Sequence, residues 1–117
     1  MTEEYDKKNM LGIDIVHLPE FKKMMDKFPL EKLFLPVELS QNTRIESLAG
    51  IFAAKEAFFK AIGKKENWLD VWVEKEASGK PKLYSTLIKN SQKAQVSISH
   101  AGDYAIAVVL IEIRGER

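Results

Sequence analysis

No cysteine occurs among the 117 residues. Disulfides, thiolate nucleophiles and cysteine-ligated zinc are therefore excluded, which is compatible with a reducing compartment. No apolar run approaches the ~18 residues that suggest a membrane span. The N-terminal MTEEYDKKN is polar and charged, the wrong character for a signal peptide. A soluble, cytoplasmic protein is expected, with no membrane partner. An excess of charge is missing too: 18 basic residues nearly cancel 17 acidic ones, so the net charge gives no reason to expect nucleic acid. A cationic site must then be local. There are no internal repeats or low-complexity stretches, and the length suits one domain, expected over residues 10–117 after a polar tail at 1–9.

What is present alternates between strand and helix patterns. MLGIDIVHL (10–18) is rich in β-branched residues and stops at Pro19. Pro19 suits the first turn of a helix, which carries Phe21, Met24, Met25 and Phe28 at helical spacing. LFLPVEL (33–39) reads as a loop entering a short helical turn at Pro36. A long helix is expected over roughly 46–62, with Gly63 as its stop. WLDVWVEKE (68–76) alternates like a strand, SGKPKLY supplies a turn and its partner, and a short amphipathic helix is expected over 86–93. AQVSISH and YAIAVVLIEI read as strands joined by a hairpin at AGD. Hairpins are prominent and regular βαβ alternation is lacking, which predicts an α+β fold with a largely antiparallel sheet packed on the long helix.

Two carboxylates interrupt this apolar pattern. In FAAKEAFFKAIG (52–63) both sides of the helix are apolar, yet Glu56 projects from the stripe of Phe52 and Phe59. One reading is an i,i+4 pair with Lys60, worth only about 0.2–0.5 kcal/mol on a surface. In an apolar stripe that offsets too little of the desolvation, and a site is the alternative. Asp14 sits in GIDIV among Ile13, Ile15 and Val16, although Asp is depleted in strands. Backbone N–H groups at a sheet edge could satisfy it. The two carboxylates could equally share a cation, and oxygen-only ligation suits Mg²⁺ with substrate phosphates. Lys60 is then a phosphate contact or proton donor beside the metal. His100, closing SISH, reads as a surface or capping residue or as a phosphate contact, and no spacing of His17 and His100 suggests metal. GKKEN (63–67) reads as a solvated loop or as the basic mouth of an anion site.

Taken together and in this order, GIDIV, LAG, FAAKEAFFKAIG, SGKPKL and VSISHAGDYAIAVV resemble the holo-acyl-carrier-protein synthase family, the small phosphopantetheinyl transferases. The resemblance spans about residues 10–113. It implies transfer of 4′-phosphopantetheine from coenzyme A to a serine of an apo acyl carrier protein, dependent on Mg²⁺ and releasing 3′,5′-ADP, in fatty-acid or polyketide synthesis. The implied metal ligands are Asp14 and Glu56. Glu56, directly or through a water, helps deprotonate the serine, and Lys60 serves the departing 3′,5′-ADP. Coenzyme A contacts are implied at Lys60, Gly63, Lys64, Lys80, Pro81, Ser99 and His100. The first helix is implied to meet the carrier through Glu20, Lys23, Met24, Lys27 and Phe28. A homotrimer with sites at subunit boundaries is implied as well. The apolar main helix and YAIAVVLIEI also offer more hydrophobic surface than one small core needs.

Three positions depart from the family pattern. Glu20 replaces an arginine directed at the acidic carrier, Ile51 replaces the arginine that follows LAG, and KKEN shortens the loop after the main helix. These departures support a second reading, a catalytically weakened homologue that binds coenzyme A or the carrier. A third is an unrelated α+β domain with a structural Glu56–Lys60 pair.

Overall fold

The first strand, β1 (Met10–His17), pairs along its whole length with the last, β5 (Tyr104–Ile113), which in turn pairs with β4 (Gln92–Ala101). This antiparallel sheet has the order β1-β5-β4, and a separate hairpin joins β2 (Val71–Lys75) to β3 (Pro81–Ser85). The computed structural model describes residues 9–113. All but one residue of the expected polar tail, and the last four residues of the expected domain, lie outside that range. Three α-helices complete the described fold: α1 (Leu18–Met25), α2 (Pro36–Gln41) and the long α3 (Ile45–Ile62). It is the expected α+β architecture, and among the described residues no helix is long and apolar enough to cross a membrane.

Helix α3 lies across the inner face of the larger sheet, where Ala105, Ala107, Val109 and Ile111 of β5 meet its alanines and Phe58 in one buried core. Small residues on both surfaces let helix and sheet approach closely. The approach is tightest at Gly12, where an added Cβ would stand 1.9 Å from the Ala57 carbonyl oxygen, so only glycine fits. A second glycine serves the other flank: a Cβ on Gly50 would lie 2.9 Å from Ile98 and 3.1 Å from His100 Nε2. Gly63 ends α3 in the left-handed region at φ 80°, and its N–H donates to the Phe59 carbonyl.

Three sequence expectations need correction. Helix α1 stops at Met25, so Phe28 leaves the helical face and is exposed. Pro29 follows it, and the residue before proline is disfavoured in helical conformation. Trp68–Asp70 is a 3₁₀ turn, not the start of a strand, because Asn67 Oδ1 accepts the Leu69 N–H and bends the chain. No helix forms over 86–93. There Ser85 Oγ accepts the Leu87 N–H, Gln92 Oε1 accepts the Lys89 N–H, and the Gln92 N–H donates to the Lys89 carbonyl. Such short-range bonds close turns in competition with helix.

Candidate active site

Strand β1 carries its residues in an unusual arrangement. Gly12, Asp14 and Val16 face α3, whereas the aliphatic Leu11, Ile13 and Ile15 point away and stay exposed at 67%, 59% and 58%. The G-x-D spacing has a direct physical reason. Gly12 brings the strand onto the helix backbone, and two residues later on the same face Asp14 arrives beside the next turn of α3. Lys60 Nζ donates to Asp14 Oδ1 at 2.9 Å. The lysine is half exposed, and that hydrogen bond holds its ammonium above the usual lysine range, with the neighbouring charge of Glu56 adding a smaller push.

Glu56 and Asp14 line one cleft of about 260 Å³, together with His17, Glu20, Met24 and Phe52. Its charge environment differs from the sequence expectation. The Glu56 carboxylate is 23% exposed and meets Lys65 Nζ at 3.5 Å, while Lys60 goes to Asp14. The i,i+4 reading of Glu56 with Lys60 finds no direct contact, and neither carboxylate lacks a cationic neighbour. Lys65 also stands 4.8 Å from the Trp68 ring centre, and Trp68 stacks on Phe52 at 4.8 Å. The GKKEN loop is thus exposed along its length, with Lys65 alone reaching Glu56 and the Trp68 ring.

Among the described residues, one wholly buried ion pair was missed by sequence reasoning. Lys55 and Glu38 are both 0% exposed, with Nζ to Oε1 at 2.8 Å. The ammonium also donates to the Leu33 carbonyl at 2.7 Å and to the Trp68 carbonyl at 3.1 Å. Glu38 accepts the Leu35 N–H on one oxygen and the Val73 N–H on the other. Burial pushes the Lys55 pKa down, against the opposing charge and hydrogen bond of Glu38. The available signal was a lysine between Ala54 and Glu56 on a helix apolar all round.

The remaining candidates are dispersed. His100 Nε2 lies 3.0 Å from the Glu46 carbonyl oxygen, which can only accept, so Nε2 carries the proton and donates. Ser99 pairs across to Ile106 and His100 to Ala105, so the two occupy opposite faces of the sheet. Lys80 and Pro81 line a different groove of about 570 Å³, with Lys82, Lys93, Gln95 and Ser97. Gly63 and Lys64 lie at the end of α3. Glu20 is exposed on α1 near His17, Lys23 is exposed beside the half-buried Met24, and Lys27 and Phe28 follow the helix. Ile51 is 3% exposed in the core.

The oxygen-only donor pair fits a hard divalent cation. Two carboxylates on one open cleft leave coordination positions for water and phosphate oxygens, as Mg²⁺ requires. Among the described residues no cluster of three or more acidic, histidine or cysteine side chains forms a fuller cage.

A model of the 4′-phosphopantetheinyl transferase superfamily matches residues 10–109. A holo-[acyl-carrier-protein] synthase of Halalkalibacterium halodurans is 41% identical over 113 residues, covering 86% of this chain and 92% of that protein. The crystal structure of the Helicobacter pylori holo-[acyl-carrier-protein] synthase in complex with coenzyme A is similar with a TM-score of 0.81 at 33% identity, covering 88% of this chain and 100% of that one. The Bacillus anthracis synthase in complex with coenzyme A (3′,5′-ADP) gives 0.77 at 35% identity, covering 89% and 96%. With the strand-borne Asp14 and the helix-borne Glu56 and Lys60 matching the motifs on which the resemblance rested, the chain belongs to the 4′-phosphopantetheinyl transferase superfamily, among the holo-[acyl-carrier-protein] synthases.

Proposed function

We propose that this chain transfers 4′-phosphopantetheine from coenzyme A to a serine of an apo acyl carrier protein in the cytoplasm, releasing 3′,5′-ADP. What carries this reading is the convergence of Asp14, Glu56 and Lys60 where β1 crosses α3, in a chain of this family. Asp14 and Glu56 are the residues to hold Mg²⁺. When bound, the ion supplies charge neutralisation and orientation to the pyrophosphate.

The chain's own residues have separable tasks. Glu56 accepts the proton of the carrier serine, whose Oγ forms the new P–O bond as the pyrophosphate bridge breaks. Lys60 faces the negative charge of the departing 3′,5′-ADP. Because Asp14 raises its pKa, it remains an ammonium throughout the neutral range and acts chiefly as a fixed positive charge. Lys64, Lys80, Pro81 and His100 are assigned to the nucleotide end, with His100 oriented by its bond to the Glu46 carbonyl. Lys23, Met24, Lys27 and Phe28, with Glu20 as the opposing charge, are assigned to the carrier.

A homotrimer with boundary sites belongs to the same reading. Leu11, Ile13, Ile15 and Ile106 form an exposed apolar face on the outer side of the sheet, the kind of surface that subunit association covers. His100 lines one hollow and Lys80 with Pro81 another, apart from the Asp14–Glu56 cleft, as expected if a neighbouring copy completes each site. Sedimentation at micromolar concentration should give a trimer, and an active monomer would exclude it.

The test of function is intact mass of apo carrier proteins after incubation with the chain, coenzyme A and Mg²⁺. A phosphopantetheine adduct on serine is expected. Coenzyme A binding by calorimetry without any adduct would instead support the weakened binding module, which Glu20 and the core placement of Ile51 favour.

A further inference from the structure

The Lys55–Glu38 pair needs an explanation that stability does not supply. A buried ion pair is commonly no more stabilising than well-packed apolar side chains of similar size, and a methionine would suit a helix position next to Ala54. What apolar packing cannot provide is direction. Three hydrogen bonds radiate from one ammonium to the Leu33 carbonyl, the Trp68 carbonyl and Glu38 Oε1, and they use all its donors. Glu38 extends the network to Leu35 and to Val73 at the edge of β2. The segment before α2, the 3₁₀ turn at Trp68 and β2 are thereby fixed to α3 one residue before Glu56.

Trp68 is the consequential partner, because it receives the chain immediately after the loop at 63–67. One end of that loop is set by the left-handed Gly63. The other is set by Lys55 at the Trp68 carbonyl. The ring so anchored packs on Phe52 at 4.8 Å and against Phe59 at 5.4 Å, and it carries Lys65 over its face toward Glu56.

We propose that Lys55 is a positioning residue for coenzyme A binding, acting through Trp68 to hold Lys65 as a phosphate contact at the mouth of the cleft. The inference rests on the reading of that cleft as the coenzyme A site. Lys55→Met with Glu38→Gln removes the pair without stranding a lone buried charge. In this double variant the KM for coenzyme A should rise about tenfold, the equivalent of one lost charge-assisted contact. The KM for the carrier and kcat per folded enzyme should stay near the parent's. Lys65→Ala should raise the coenzyme A KM similarly in the parent but add little in the double variant, the non-additivity expected of coupled residues. Acrylamide quenching of Trp68, read in a Trp72→Phe background, should increase when the pair is removed.

An unchanged KM in folded double variant overturns the proposal, as does an equal effect of Lys65→Ala in both backgrounds. Loss of kcat in proportion to folded protein, with KM constant, would assign the pair a purely structural role. If the double variant does not fold, Trp68→Leu decides: a raised coenzyme A KM supports the proposal and an unchanged one overturns it. A parent protein that binds no coenzyme A fails the functional reading itself, and Trp68 quenching still decides whether Lys55 fixes the loop.

Discussion

Two lysines on one helix meet carboxylates in opposite circumstances. Lys55 and Glu38 are wholly buried, and every donor of the ammonium is engaged. Lys60 is 57% exposed against an Asp14 at 15%, and a single hydrogen bond joins them. Burial draws the first lysine's pKa down, whereas the Asp14 hydrogen bond raises the second's. A saturated pair cannot accept a ligand without breaking, and it therefore serves architecture. An unsaturated pair at a cleft has lone pairs and protons to offer phosphate, metal or serine. On this helix the pair with unspent hydrogen-bonding capacity is the one at the cleft.

Breaking the open side should have the largest effect. Asp14→Ala or Glu56→Ala is expected to lower transfer by at least about 10³-fold, the scale of losing preorganised charge at a reacting centre, with the fold retained in far-ultraviolet circular dichroism. Transfer at the parent rate in either variant would remove the metal-site assignment. On the closed side, Lys55→Ala leaves Glu38 as a lone buried carboxylate and should cost about 3–5 kcal/mol in urea unfolding. A cost under ~1 kcal/mol there would mean the pair is not sealed from water.

Smaller effects sharpen the contrast. Lys60→Ala should change unfolding free energy by no more than about 1 kcal/mol, as for exposed pairs, yet reduce kcat about 10²-fold. Stability loss without a kinetic defect would reverse the roles of the two lysines. Glu20→Arg should raise kcat/KM for an acidic carrier severalfold at low ionic strength, where exposed charges act over the longest range, and leave coenzyme A affinity unchanged. No gain there would mean a neighbouring lysine already makes the contact. The slightest effect concerns pH. With its folded pKa above the ordinary 10.5, Lys60 contributes stability that is complete below 10.5 and lost as pH rises through the higher folded value. The difference between parent and Lys60→Met should therefore be flat from neutrality to pH 10 and vanish above it.

Much of this was legible in the residues. The apolar circumference of 52–62 gave a buried helix, Gly63 its end, and GIDIV a strand whose polar member had to matter. Asp14 and Glu56 stood out because each broke an apolar pattern. Lys60 stood out as well, but its pairing did not: Lys60 meets Asp14 across 46 residues and Lys55 meets Glu38 across 17, and no local periodicity encodes such pairings. Lys55 was hidden by its own neighbour, since Glu56 offered a reason for charge in that helix. The missed turn at 86–91 and the shortened α1 reflect side-chain bonding from Ser85 and Gln92 and the veto of Pro29, which outweighed weak helical periodicity.

The pairing of β1 with β5 has a consequence for how the chain reaches this state. Asp14 stands opposite Ala107, so the β1–β5 pair joins the two ends of the fold. Its contacts are among the most distant in sequence that the chain can make, and loop closure of that length slows folding. During synthesis β1 emerges roughly 5–20 s before its partner, at about 5–20 residues per second. Throughout that interval Leu11, Ile13 and Ile15 have no β5 beside them. An alternating aliphatic strand in that condition is a template for pairing with other nascent chains. Polar substitution of Ile13 should therefore raise the soluble yield of the chain and, in the homotrimer proposed above, weaken assembly.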